Sequence, residues 1–442
     1  MKEISFPPKI IPILSSNERS EISKLIIKNE QIGLAWLEKI RKFISFHNRN
    51  LKNISIKRFG KDSSSHLIWM KEIINNQISI STEPLKDVAL LNAALIIEDA
   101  CPSILKDLVL LNKILTNHQN CLIHSASKSL ENVNDIPECK CSFEAWNNSI
   151  VNKIPVTIFC PSPYSLFSIT SLKILISLNI NIKAIVILKF SPSRIRSELY
   201  RDGISLFFKR VWRKLILRSD ENKVDTDLSL KNFKESIVEQ ISDIRSLAKN
   251  YDIPCISVDS FSEVIDLKKN ENDDLCLFTG GGLITADVID YFSLGIINIH
   301  MGPLPQYKGM DVVEAPILDG AFDSLSLTAH LMQPSLDSGP IISKINFSSD
   351  EYESLDELRN EMGAMMPIIA VESIISILSN ENCLQEQKSL GKQYYFIHTR
   401  LRDIIFKVMS KRYENNLNKS ISSRKKKIQL LNSLIADMQN TL

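Results

Sequence analysis

"DDLCLFTGGGLITADVIDYFSLGIINIH", residues 273–300, decides the architecture. A short apolar run through Phe278 breaks at Gly280, Gly281 and Gly282. "ITADVIDYFSL" then reads as a helix and "GIINIH" as a second apolar strand. Fully apolar strands joined by helices are the mark of parallel strands buried on both faces. The same alternation extends upstream, where "KIPVTIFC" (153–160), "INIKAIVILKF" (180–190) and "YDIPCISV" (251–258) are strand candidates. Helices are expected after 160 and over about 230–250. Right-handed crossovers turn this order into a doubly wound, Rossmann-like α/β fold, a mostly parallel sheet with helices on both faces. Downstream, "SLSLTAHLMQ" (324–333) and "PIISKINF" (340–347) are too close for a parallel crossover, so an antiparallel strand is expected. "MDVVEAPILDGA" (310–321) reads as a helix, and "SSDEYESLDELRNEM" (348–362) opens an acidic-capped helix running to about 379.

Around this core the 442 residues divide into three blocks. Residues 1–150 read as an N-terminal α+β domain without a chemical motif, 151–350 as the catalytic domain, and 351–442 as a helical C-terminal extension. A net charge of +2 demands no nucleic acid or membrane partner, so any basic site is local. Cys160 and Cys276 lie in apolar strand candidates and read as reduced core thiols rather than a disulfide framework. "CKC" (Cys139, Cys141), with His118 and His124, fits no standard zinc spacing, and no metal is expected. Prolines interrupt the N-terminal apolar stretch, and Lys173, Asn179, Asn181 and Lys183 break the longest apolar region, so a cytoplasmic protein without a transmembrane segment is expected.

The chemistry gathers where the strand "GIINIH" ends. Asn298 and His300 are two positions apart, so both point to one face of a strand. Reactive groups of such sheets collect beyond the carboxyl ends of the strands. "MGPLPQYKG" follows, with Gly302 and Gly309 allowing close backbone approach and Pro303 and Pro305 stiffening the path. Asp337 stands in "QPSLDSGPII", a tight loop between the two later strands. An amide, an imidazole and a carboxylate together can handle a tetrahedral adduct: the amide donates to the oxyanion, the imidazole relays a proton, and the carboxylate supports the imidazolium. No Ser or Cys nucleophile joins them, which favours direct transfer. A lone N-x-H is more often structural, Asn298 satisfying backbone groups and His300 filling a core. His330 reads as structural or supporting. The glycine turn lacks G-x-G-x-x-G spacing and would equally suit a phosphate or a plain tight turn.

"TGGGLITADVID", "GIINIHMGPLPQYKGMD" and "SLTAHLMQPSLDSGPII" together resemble the folate-dependent formyltransferase superfamily, which includes methionyl-tRNA, glycinamide ribonucleotide and sugar-amine formyltransferases. The resemblance covers about 153–350 and is strongest after 275. It implies that Asn298, His300 and Asp337 are the catalytic trio and that 10-formyltetrahydrofolate is the co-substrate. Gly281, Gly282, Leu283 and Ile284, with Gln333 and Leu336 of the Asp337 loop, match the pterin-holding positions. Met301, Gly302 and Lys308 depart from the usual pattern, which commonly has Arg at the last position.

The implied acceptor is a primary amine, small or nucleotide-linked as in an amino sugar. Methionyl-tRNA is the less favoured acceptor, because the residues after 396 look too few for the family's tRNA-binding barrel. Hydrolysis of formyl-folate by water and non-catalytic folate binding are the other readings. The basic stretch within 194–218, with Phe208, Trp212 and Leu215 at helical spacing, would suit a membrane surface (204–218), a phosphate-rich partner, or simple packing with solvated charges.

Overall fold

The computed structural model describes residues 87–100, 108–128, 136–139, 154–189, 243–267, 275–280, 284–310, 312–379, 384–388, 391–394 and 397–416, with Leu37, Leu130, Arg424, Lys427 and Gln429. Gly281, Gly282 and Leu283, the basic stretch 204–218 and the strand candidates near 53–58 and 66–70 lie outside the described residues.

A seven-stranded sheet organises the molecule. Strands β1 (Val156–Cys160), β2 (Ile182–Leu188), β3 (Cys255–Val258), β4 (Leu275–Phe278) and β5 (Ile296–His300) run parallel. After the short β6 (Tyr307–Gly309), β7 (Leu325–Leu331) adds antiparallel to β5, and β8 (Ile341–Phe347) antiparallel to β7. The order is β3-β2-β1-β4-β5-β7-β8. The antiparallel pair sits where the short link between the two strands requires it.

Period-two alternation splits the strand side chains between two cores. Ile158, Leu275, Leu277, Ile297 and Ile299 join the larger cluster, whereas Phe159, Cys276, Phe278 and Ile296 join a smaller one on the opposite face. Ile296, Asn298 and His300 share a face, so the polar pair continues the smaller cluster's side beyond its apolar edge. On β7 the alternation is plain. Leu325, Leu327 and Ala329 enter the larger core, and Ser326, Thr328 and His330 are the buried polar residues between them.

Helix α1 (Val88–Ala100) and α2 (Leu108–His124) contribute Leu91, Leu95, Leu115 and Leu122 to that same larger core. On it also packs α3 (Leu166–Ser177), capped by Ser165, whose hydroxyl accepts from the Ser168 amide. Beyond α4 (Ile244–Asn250), α5 (Glu263–Leu267) and α6 (Ala286–Tyr291), the "MDVVEAPILDGA" helix is only α7 (Glu314–Leu318). Pro316 limits it to little more than one turn. The long helix α8 (Leu355–Leu378) is apolar enough to cross a membrane, but 78% of its apolar window is buried inside the protein, as for a core helix.

Following α8, a strand appears where a purely helical tail was expected: β9 (Lys392–Tyr394) pairs parallel with β6. Residues 399–416 form a further helix, α9, placing Leu401, Ile404, Ile405, Val408 and Met409 in the larger core. Arg412 of α9 lies 3.5 Å above the Phe322 ring and reaches both oxygens of Asp350. Cys160 and Cys276 are buried free thiols as expected, while Cys139 departs from that reading in being disulfide-bonded.

Candidate active site

Asn298, His300 and Asp337, which come from a strand and a distant loop, converge at the carboxyl end of β5. The His300 Nδ1 lies 3.5 Å from Asp337 Oδ2. Its other nitrogen meets the Tyr307 carbonyl at 2.8 Å. A carbonyl can only accept, so Nε2 carries the hydrogen and Nδ1 faces the carboxylate. The ring is buried, and Gly302 is what leaves room for it. A Cβ there would stand 3.1 Å from His300 Nε2 and 2.7 Å from Val312 Cγ2. The Thr328 hydroxyl donates to the Gly302 carbonyl at 2.8 Å, holding this turn against β7.

Asp337 sits at φ 48, in the left-handed region that Asp tolerates better than most side chains. Gly309 N–H donates to its Oδ2 at 2.8 Å, and Gln387 Nε2 donates to its backbone carbonyl at 3.0 Å and to that of Gly339 at 2.7 Å. Both the loop before the carboxylate and the segment after α8 therefore hold it in place.

His330 belongs to the constellation as well. It lies directly across the sheet from Asn298, and its Nε2 meets Asn298 Nδ2 at 3.0 Å. Its Nδ1–H donates to the Leu331 carbonyl at 3.0 Å, so Nε2 is the acceptor and the ring is neutral. Asn298 Nδ2 keeps a second hydrogen to offer a ligand. Burial, with a contribution from the nearby His300, pushes the His330 pKa down to about 4, against the opposing pull of Asp337. Its Nε2 is 3.8 Å from Asp337 Oδ1. Sequence reading takes this histidine as structural or supporting, and the bond to Asn298 makes its role a supporting one. The signal that finds it is the alternation in "SLSLTAHL", which sets Ser326, Thr328 and His330 on one face, although the cross-strand register is not readable from sequence.

A histidine held neutral below its ordinary value of 6.5 makes stability depend on pH. Above about 6.5 it is neutral folded and unfolded. As pH falls from there to about 4, the unfolded chain gains a proton that the folded ring refuses, and stability is lost. Thermal unfolding over that window should show a steeper loss for the natural protein than for His330→Gln. Equal slopes would exclude this assignment.

A buried polar chain supports the loop from behind. The Tyr307 hydroxyl donates to Asp319 Oδ2 at 2.8 Å, and Tyr394 of β9 reaches the same oxygen at 3.4 Å. The two rings stack at 5.5 Å. Burial raises the Asp319 carboxyl and holds both phenols well above their usual range. Next to it, Lys392 Nζ donates to Asp87 Oδ2 at 2.9 Å, and the His398 amide donates to Asn92 Oδ1 at 2.8 Å. The carbonyl that receives His300 is thus tied to α1, β9 and the start of α9.

Of the positions expected to hold the pterin, Ile284 is half-buried against the smaller core, while Gln333 and Leu336 are exposed on the loop bearing Asp337. Gly280 turns the chain at φ 109 after β4. Among the described residues no group of ligating side chains is arranged to hold a metal ion.

Residues 257–374 match the family described as formyl transferase. The chain carries a formyl transferase domain. That domain contains Asn298, His300, His330 and Asp337. The methionyl-tRNA formyltransferase of Borrelia hermsii is 28% identical over 181 residues, 40% of this chain and 58% of the relative. That of Borrelia duttonii is 26% identical over 159 residues, 36% of this chain and 51% of the relative. The chain spans about half the length of the curated relatives it matches. A crystal structure of an N-formyltransferase from Helicobacter canadensis, in complex with folinic acid and dTDP-3-aminofucose, is 14% identical. It covers 59% of this chain and 80% of that one at a TM-score of 0.37. Of the elements around the trio, β4 to β8 lie inside the matched residues, and β1, β2 and β9 lie outside them.

Proposed function

We propose that the protein transfers the formyl group of 10-formyltetrahydrofolate to a primary amine on a small or nucleotide-linked acceptor. The observation that carries this reading is the 3.5 Å approach of Asp337 to His300, beside Asn298, inside the formyl transferase match. The neutral amine attacks the formyl carbon and forms the new C–N bond. Charge passes to the formyl oxygen, where the second Asn298 Nδ2 hydrogen is available to donate. The bond from that carbon to the folate N10 then breaks, and the proton lost by the amine ends on N10. His300 is the group suited to relay it, with Asp337 balancing the charge of the doubly protonated ring. Among the described residues neither His300 nor Asp337 hydrogen-bonds a serine or cysteine, which favours direct attack by the amine. The backbone at Ile284 and of the loop around Gln333 and Leu336 is suited to hold the pterin, and the exposed Leu336 side chain supplies apolar surface for it.

Residues 392–394 and 399–416 pack with the same core as the trio's strand. Methionyl-tRNA is the second reading, favoured by the relatives' names. Incubation with 10-formyltetrahydrofolate and a panel of amino sugars, amino-sugar nucleotides and methionyl-tRNA, followed at the folate absorbance, separates them. Turnover with an amine supports the reading, and salt-sensitive turnover with tRNA replaces the acceptor. Turnover in water alone identifies a hydrolase. Tight folate binding without turnover on any acceptor would reduce the protein to a folate-binding role.

A further inference from the structure

Lys308 occupies the middle of β6, between Tyr307, whose carbonyl receives His300, and Gly309, whose amide holds Asp337. Tyr307 turns its side chain toward Asp319, and alternation along the strand sends Lys308 to the other side. There it is 9% exposed. Its two neighbours on the strand bind His300 and Asp337, so its side chain leaves β6 next to the trio, and its charge acts on Asp337 and His330. Among the described residues nothing accepts a hydrogen bond from it, and no carboxylate stands within 4.0 Å. Asp337 is already engaged. Its Oδ2 takes the Gly309 amide and faces His300, and its Oδ1 faces His330.

What is buried of Lys308 is its stem, since its Nζ is not among the buried nitrogens left without a partner. Burial accordingly lowers the Lys308 pKa, partly offset by Asp337. The Lys308 charge, matched by no carboxylate within salt-bridge reach among the described residues, is available to an arriving anion.

Resting on the formyl-transfer reading, we propose that the Lys308 ammonium anchors an anionic group, a carboxylate or a phosphate, carried by the acceptor close to its nucleophilic amine. The donor does not supply that group. With its formyl carbon at Asn298 and His300, the folate carboxylates lie beyond the p-aminobenzoyl ring, away from the trio. A compact point charge suits one oxyanion at a defined distance, where the Arg usual at this position would present a planar fork. The acceptor class is therefore an amine bearing a nearby carboxylate or phosphate, rather than a neutral amine.

Two measurements test this on the full chain, with the natural protein, Lys308→Arg and Lys308→Met. Calorimetric titration with inorganic phosphate, and separately with acetate, should show binding that is weakened roughly tenfold to hundredfold in Lys308→Met and retained in part by Lys308→Arg. Which anion responds identifies the source. In steady-state transfer, glucosamine 6-phosphate should outcompete glucosamine, or glycine should outcompete glycinamide, with the preference lost in Lys308→Met. Equal anion binding by all three proteins, or a preference indifferent to Lys308→Met, overturns the anchor while leaving formyl transfer standing. Lys308-dependent anion binding with no transfer to any amine supports the anchor and counts instead against formyl transfer. Far-UV circular dichroism of each variant excludes misfolding as the cause.

Discussion

Asp337→Asn is expected to fold normally and to lower kcat for formyl transfer by about 10²–10⁴-fold, the range for loss of general acid–base assistance. The substitution keeps the size of a side chain whose Oδ2 receives the Gly309 amide, so the loop retains that bond through the remaining oxygen. What disappears is the negative charge facing His300 Nδ1 at 3.5 Å. A protonated ring would then have no counter-charge on that side, while its Nε2–H stays committed to the Tyr307 carbonyl. His300→Ala should cost as much, and Asn298→Ala about 10²–10³-fold as an oxyanion donor. Because the three act on one tetrahedral centre, the double variant His300→Ala with Asp337→Asn should be little worse than either alone. Steady-state rates at saturating donor, with melting temperatures as a folding control, provide the test. Activity within about threefold of the natural protein for both single variants would remove the trio from the mechanism.

The architecture was readable from residue 153 onward because its signals are local. "VTIFC", "LCLF" and "IINI" are short apolar runs between helices, and the observed parallel strands Val156–Cys160, Leu275–Phe278 and Ile296–His300 follow them closely. Asn298 and His300 were legible by the period of two, and Asp337 by its glycine- and proline-flanked loop. Three features were not. His330 earns its place by pairing with Asn298 across antiparallel strands, a register set by the turn and the core rather than by nearby residues. The strand Lys392–Tyr394 is three residues of "GKQYY" with no alternation to read, and it exists because β6 offers it a backbone edge. The "MDVVEAPILDGA" segment looked like a long helix, yet its side chains serve separate contacts. Glu314 is fully buried against Arg359, with oxygens 2.7 and 2.6 Å from Nη2, and Asp319 turns to Tyr307.

Gly309→Ala should be among the most damaging single methyl additions near the site. Gly309 has φ 97, outside the conformations an L side chain readily adopts, which costs about 1–3 kcal/mol in itself. The new Cβ would also stand 2.1 Å from the Tyr394 carbonyl oxygen, a backbone atom with no rotamer to retreat into. Either β6 and β9 separate or the Gly309 amide turns away from Asp337, and each outcome disturbs the loop that receives His300. Gly391→Ala presents the same conflict from the other strand, with φ 61 and a Cβ 1.7 Å from the Pro305 carbonyl oxygen. Both variants should melt several degrees lower and lose most formyl transfer. Gly363→Ala is the control: its Cβ would meet nothing within 4 Å, and in the interior of α8 it should stabilise by roughly 0.5–1 kcal/mol. If Gly309→Ala keeps both melting temperature and kcat, β9 does not brace the site. The catalytic loop would then be held by the formyl transferase domain alone, and the segments outside 257–374 would have no part in shaping it.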